Sequence, residues 1–236
     1  IELIMSICSE LHIQAYAVGG CVRDAILGKD INDIDISIEA DTILLFPYLK
    51  KRAKCKYHEE FQTSSIVFSN GILIDLIRCR KESYKYNGAL PTIIPSKIYD
   101  DLKRRDFTVN ALAYDLTKLK LLDYFGGLED INNKVIKKIH KVSYTEDPTR
   151  IFRAVKYAVR YNFKLYDQDE IINDLKGGVM STISVDRIIK EILLICQEKD
   201  WKDCFILCSK LGIFDLNINV LAVDNEMLCF ENIEDR

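Results

Sequence analysis

Apolar and polar positions along the 236-residue chain alternate most sharply over residues 31–38. There Ile34, Ile36 and Ile38 share one side and Asp33, Asp35 and Ser37 the other, the period of a half-buried strand. Before it, Ile4, Ile7 and Leu11 at helical spacing predict an amphipathic helix over residues 1–13, and residues 15–18 predict a short buried strand. Gly19-Gly20 lets the backbone turn into a helix that runs to about Leu27 and stops at Gly28. After it, Asp41 is placed to cap a helix through about Lys54, bent at Pro47. Residues 64–68 and 72–77 flank Ser69-Asn70-Gly71 and predict a hairpin. Asn87-Gly88, Pro91 and Pro95 make residues 81–103 a long loop. In residues 104–114 the offsets of Phe107, Ala111 and Tyr114 predict an amphipathic helix, and residues 121–125 and 135–139 read as strands around Gly126-Gly127. The clearest helix opens at Glu146-Asp147-Pro148-Thr149-Arg150, with Asp147 at the cap and an apolar stripe of Ile151, Phe152, Val155, Ala158 and Val159. Asp167 and Ser184 are placed to cap two more helices, the second with Ile188, Ile192 and Ile195 inward, and a last helix over 201–211 stops at Gly212.

A hydrophobic content of 48% with 29% charged residues suits one large domain or two small ones. The net charge of -3 gives no global basic signal, so a nucleic-acid contact must come from local patches. Lys134, Lys137, Lys138 and Lys141 form such a run, which reads more readily as a solvated face than as an RNA site. Eight cysteines without a Cys-x-x-Cys pair, and only three histidines, speak against zinc sites and suit a reducing cytoplasm. Cys204 and Cys208 read as buried neighbours on one helical face. No apolar run approaches a membrane span, and Glu2 and Glu10 interrupt any signal-peptide pattern.

Candidate chemistry gathers at three places. Asp33 and Asp35 project two carboxylates to one side of a strand, where like charges repel unless a cation lies between them. Magnesium accepts such a pair together with phosphate oxygens and water. The glycine pair and Arg23, one turn into the helix, suit a phosphate. Asp75 lies among Ile72, Leu73, Ile74, Leu76 and Ile77 and needs a partner: a shared metal beside Asp33, or Arg78 or Arg80. Finally, Arg150, Arg153 and Lys156 repeat every third residue along one helix face, a row of cations that wants anions or base edges. Arg187 and Glu191, four apart, can pair on their own helix.

The run Gly19-Gly20-Cys21-Val22-Arg23-Asp24 followed by Asp33-Ile34-Asp35 resembles the signature of class II tRNA nucleotidyltransferases and bacterial poly(A) polymerases, a branch of the polymerase beta nucleotidyltransferases. Residues 104–114 resemble the same family's sugar-recognition motif, Asp123 to Asp130 its link between head and neck, and Glu146 to Arg150 its Glu-Asp-x-x-Arg template. Arg187-x-x-x-Glu191 resembles the element that braces the template helix. The resemblance implies an α/β (α+β) fold: a polymerase beta-like head with a mixed antiparallel sheet over residues 1–140, a helical neck over 141–200 and the start of a helical body over 201–236. It implies two magnesium ions on Asp33 and Asp35, with Asp75 as a third acid, and a triphosphate on Gly19, Gly20 and Arg23. Arg104 would meet the triphosphate while Asp106 and Asn110 organise the ribose side. Asp147 and Arg150 would read the base, Arg153 would support the nucleotide, and Lys156 stands where an arginine is common. The implied reaction adds CMP and AMP from CTP and ATP to the tRNA 3' end, completing CCA, in the cytoplasm. Residues 81–103, of ordinary length for the family's flexible element, lean toward adenosine addition. Poly(A) synthesis, A-only or CC-only addition, and a non-catalytic RNA-binding relic are the alternatives.

Overall fold

A computed structural model describes residues 1–214 except Asn32. In chain order it runs α1 (Glu2–Glu10), β1 (Ala15–Val18), α2 (Gly20–Ile26), β2 (Ile34–Ile38), α3 (Phe46–Leu49), β3 (Ala53–His58), β4 (Thr63–Phe68), β5 (Leu73–Arg78), β6 (Arg80–Ser83), β7 (Thr92–Pro95), α4 (Ile98–Lys103), β8 (Leu112–Asp115) and β9 (Lys120–Asp123). It continues through α5 (Gly127–Asn132), β10 (Val135–Ile136), α6 (Ser143–Glu146), α7 (Thr149–Tyr161), β11 (Lys164–Leu165), α8 (Gln168–Lys176), α9 (Val185–Cys196) and α10 (Trp201–Leu211).

Seven strands form one sheet in the order β3-β4-β5-β2-β1-β8-β9, antiparallel except where β2 and β5 run parallel. Its inward face buries Ile36, Ile38, Ile66, Ile74 and Leu76 against Ile4 and Ile7 of α1 and Leu45 and Leu49 near α3. Each such side chain contributes about 1.5–3 kcal/mol on leaving water. A second core joins α2 to the helical half: Val22, Phe107, Ile151, Phe152, Val155, Ile195, Cys204 and Cys208 pack together. Because α7 lends its apolar stripe to this core, its polar face is left toward the sheet. The fold is the mixed α/β arrangement expected, and the described cysteines are free thiols.

Several local expectations are overturned. The helix from Asp41 does not reach Lys54: Asp41 accepts from the Ile43 amide, a 3-10 turn and α3 follow, and Ala53 already begins β3. Pro47 sits in the first turn of α3, where its missing donor costs nothing. Residues 81–103 are no open loop, because β6 and β7 pair antiparallel and α4 follows. Residues 104–114 are not one helix. Phe107 bridges to Lys138, Thr108–Asn110 make a 3-10 turn, and β8 begins at Leu112, with tertiary pairing overriding helical offsets. Asp167 precedes α8 but does not cap it, since its carboxylate accepts from the Lys138 amide instead. Lys138 is itself buried, donating to Glu170 and to the Lys141 carbonyl, so it leaves the supposed solvated run. The expected stretch 215–236 of a helical body lies outside the described residues.

Candidate active site

A cavity of about 770 Å³ opens where the sheet meets α7. Asp33, Asp35, Gly20, Arg23, Arg104, Asp106, Asn110, Asp147, Arg150 and Arg153 all line it, so the fold gathers residues spread over 134 positions. Gly19 and Asp75 do not line it.

On the sheet side Asp33 just precedes β2 and Asp35 lies within it, on the face opposite buried Ile36. Parallel pairing of β2 with β5 puts Asp35 in register with Asp75, and partners in register share a face. Burial pushes the Asp35 carboxyl above its ordinary value; Arg105 pulls against that rise, while Asp75 and Asp33 add to it. Asp75 takes a hydrogen bond from the Ser65 hydroxyl at 2.8 Å. Neither arginine considered for it arrives: Arg78 turns to Asp41 and Gln62, Arg80 to Glu82. Asp35 thus sits beside other acids with less cationic compensation than it needs. A donor set of hard carboxylate oxygens open to a cavity fits magnesium, which takes few protein ligands and leaves room for phosphate and water. Among the described residues no group of three or more His, Cys, Asp or Glu side chains is placed to hold a metal ion, so the fit rests on Asp33 and Asp35.

Gly19 has φ +71, a backbone region that favours glycine, and a Cβ there would collide with the Arg105 guanidinium. The glycine leaves the space that the Arg105 guanidinium occupies. Arg105 bonds Asp101 at 3.2 Å and the Asn110 carbonyl at 3.4 Å, and its buried Nε has no hydrogen-bond partner. The sequence showed this residue only as the second member of an Arg-Arg-Asp run; nothing in the run singles it out from Arg104. Arg104 itself is clasped by Asp101 at 2.8 Å and Glu82 at 3.1 Å.

Asp106 is the hub of the sugar-motif segment. It accepts from the Asn110 amide at 3.0 Å and from Arg153 at 2.6 Å. Burial works to raise its carboxyl, but Arg153 and Asn110 outweigh burial and hold it below the usual carboxylate range. Asn110 in turn accepts from Arg23.

Along α7 the cation row meets protein anions rather than waiting for ligands. Arg153 pairs with Asp106, and Lys156 with Glu191 at 2.9 Å. Arg187 and Glu191 therefore do not pair with one another. Each reaches across to the segment bearing the row, Arg187 donating to Asp147 at 2.8 Å. Arg150 alone of the three has no carboxylate: it donates to the Ser143 hydroxyl, the Tyr84 hydroxyl and the Arg104 carbonyl. Its neighbour His140 is pushed down to about 4, by burial first and then by Arg150, Lys138 and Lys103. His140 is neutral at pH 7, so its 3.5 Å approach to Glu146 is not an ion pair.

Asp147 is held from one side only. The Thr149 amide, the Thr149 hydroxyl and Arg187 all donate to its Oδ1, and among the described residues no hydrogen bond reaches Oδ2. The expected cap position is off by one: Pro148 is the N-cap of α7 and Asp147 precedes it, still accepting from the Thr149 amide, which leaves one oxygen over.

Residues 15–137 match the family described as the Poly A polymerase head domain. The chain is 39% identical over 211 residues to an A-adding tRNA nucleotidyltransferase of Geobacter sulfurreducens, covering 86% of this chain and 24% of that protein. It is 35% identical over 210 residues to a CCA-adding enzyme of Geobacillus sp., covering 85% of this chain and 50% of that one. A solved tRNA nucleotidyltransferase complexed with a primer tRNA and an incoming ATP analog superposes with a TM-score of 0.81 at 32% identity, over 92% of this chain and 65% of that one. The chain therefore spans about a quarter to a half of the length of these two curated relatives.

Proposed function

Since the chain belongs to the family of the Poly A polymerase head domain, shared by class II tRNA nucleotidyltransferases and bacterial poly(A) polymerases, we propose that it transfers nucleotides from CTP and ATP to the 3' end of tRNA, completing CCA. The observation that carries the base-choosing part is the one-sided grip on Asp147 beside an immobilised Arg150. Oδ2 of Asp147 accepts from the exocyclic amino group that cytosine and adenine share, and Arg150 donates to a ring nitrogen or carbonyl oxygen. Uracil and guanine present the wrong pattern to that pair. Both groups are fixed before the nucleotide arrives, so little ordering cost falls on binding.

Asp33 and Asp35 hold the magnesium ions, with Asp75 supporting Asp35 from the neighbouring strand. When bound, such ions lower the pKa of the primer hydroxyl and steady the departing pyrophosphate. Gly20, Arg23 and Arg105 take the triphosphate side, Gly19 making room for Arg105. Asp106 and Asn110 fix the ribose side, with Arg153 holding Asp106 in its charged form. Arg104, clasped by Asp101 and Glu82, shapes the wall and presents its carbonyl to Arg150. In this division residues 1–140 supply the chemistry and 141–200 the base choice, in the cytoplasm.

The 39% identity to an A-adding protein favours a narrower second reading, addition of the terminal adenosine alone. Offering tRNA ending at the discriminator base, at C or at CC to the full chain with CTP, ATP or both, and sequencing the products, separates the two. CCA on all three primers establishes the first; extension of only the CC primer by one adenosine establishes the second. Long adenosine tails, or no magnesium-dependent incorporation, would overturn both.

A further inference from the structure

The far end of α7 reaches the phosphate side of the cavity through an aromatic contact that the base-choosing scheme does not use. Arg23 and Asp24 form an ion pair between adjacent residues of α2, with Nε to Oδ1 at 3.0 Å and Nη2 to Oδ2 at 2.9 Å. Consecutive helical positions do not face one another, so a bidentate pair of this kind needs bracing from outside. Tyr161, in the last turn of α7, supplies it to both partners. Its ring lies under the Arg23 guanidinium with 4.5 Å from ring centre to Cζ, and its hydroxyl donates to Asp24 Oδ1 at 2.9 Å. Tyr157, one turn earlier, adds its ring at 5.3 Å. Arg23 is only 3% exposed, yet it lines the cavity, so its position is set almost wholly by these contacts and by Asn110.

We propose that Tyr161 is a positioning residue for the triphosphate, acting through Arg23, so that one helix sets the base at its first turn and the phosphates at its last. The assignment rests on the nucleotide-transfer reading above. From Arg150 to Tyr161 a helix rises about 16 Å at 1.5 Å per residue, which separates the two tasks along one rigid rod. Stacking and hydroxyl act differently: the ring attracts the guanidinium charge and holds it in place, and the hydroxyl keeps Asp24 from swinging to water and releasing Arg23.

The test uses the full chain, titrated calorimetrically in magnesium buffer with CTP, ATP and inorganic tripolyphosphate, a probe that carries no base. Tyr161→Phe, which keeps the ring, is expected to weaken all three by about fivefold, less than the full worth of a hydrogen bond to a charged group because the effect reaches the phosphates only through Arg23. Tyr161→Leu, which loses the stacking face as well, is expected to weaken them by about thirtyfold, with stacking added to the lost hydrogen bond. Preference for CTP over UTP stays unchanged in both, and in an Arg23→Gln background Tyr161→Phe has no further effect. Thermal melts identify a folding defect in the leucine variant, and the phenylalanine variant then carries the test. Unchanged tripolyphosphate binding in Tyr161→Phe, or the same loss with and without Arg23, overturns the proposal. Failure of the unaltered chain to bind CTP or ATP would instead strike the nucleotide-transfer reading beneath it.

Discussion

The acids of the sheet and the cations of α7 both looked, in sequence, like charges in need of a ligand, and the structure treats them oppositely. Arg153 and Lys156 are matched within the protein by Asp106 and Glu191. Asp35 is not: the cation that acts on it most, Arg105, leaves its carboxyl still raised, with Asp75 and Asp33 adding to the rise. A charge balanced inside the chain is scaffold, and a charge left unbalanced at a cavity is a binding demand. The same contrast appears within α7 itself, where Arg150, the member without an acid, stands beside the carboxylate with a spare oxygen.

The largest expected effect is on the unmatched side. Asp35→Asn should lower nucleotide incorporation by about a thousandfold, the scale of losing a principal electrostatic stabiliser. The metal-free variant should nevertheless melt no lower than the parent at pH 7. The sign follows from linkage: the folded carboxyl is raised, so the folded state binds the proton more readily and stability falls as pH rises through that raised value. Asparagine removes that fall, and a melt that drops instead would break the contrast. On the matched side, Asp106→Ala should cost about 3 kcal/mol by urea titration, because it leaves the buried Asn110 amide without its partner, while Arg153, 40% exposed, can turn to water. Lys156→Ala should cost about 3 kcal/mol, whereas Lys156→Met with Glu191→Leu should restore most of it, as replacing a buried pair by packed apolar groups commonly does. An equal loss in the double variant would mean that the pair does more than brace.

The smallest effect is a slope. His140 is held well below its ordinary 6.5, at about 4, so between those values the unfolded chain takes the proton and the folded one does not. Stability should decline as pH falls from 6.5 toward 4, and His140→Gln should flatten that part of a melting-temperature profile.

Periodicity made the helices and the hairpin legible, since Ile4 and Ile7, Ile36 and Ile38, or Ile151 and Val155 declare their faces locally. It failed where long-range pairing decides. Phe107, Ala111 and Tyr114 mimic a helix, but the Lys138 bridge and the β8 ladder claim that backbone. The lining of the cavity was legible where the motif residues reach it, as Asp33, Asp35, Asp147 and Arg150 do. Arg187 and Glu191 were visible as a pair and misassigned to each other, because spacing of four is a local cue while their partners lie 40 and 35 residues away. Tyr84 and Tyr161 carried no signal at all; each acquires its role only from what α7 and α2 bring beside it.

The parallel seam between β2 and β5 sets when the acids can meet. Asp35 and Asp75 are forty positions apart, and β3 and β4 lie between them in the chain, so the parallel seam is a long-range contact. Closing so wide a loop comes late and slowly compared with forming α2 or the hairpin. Bringing Asp35 and Asp75 into register therefore depends on a contact between distant parts of the chain, and a change that disturbs the β2–β5 seam would part the two acids without touching either.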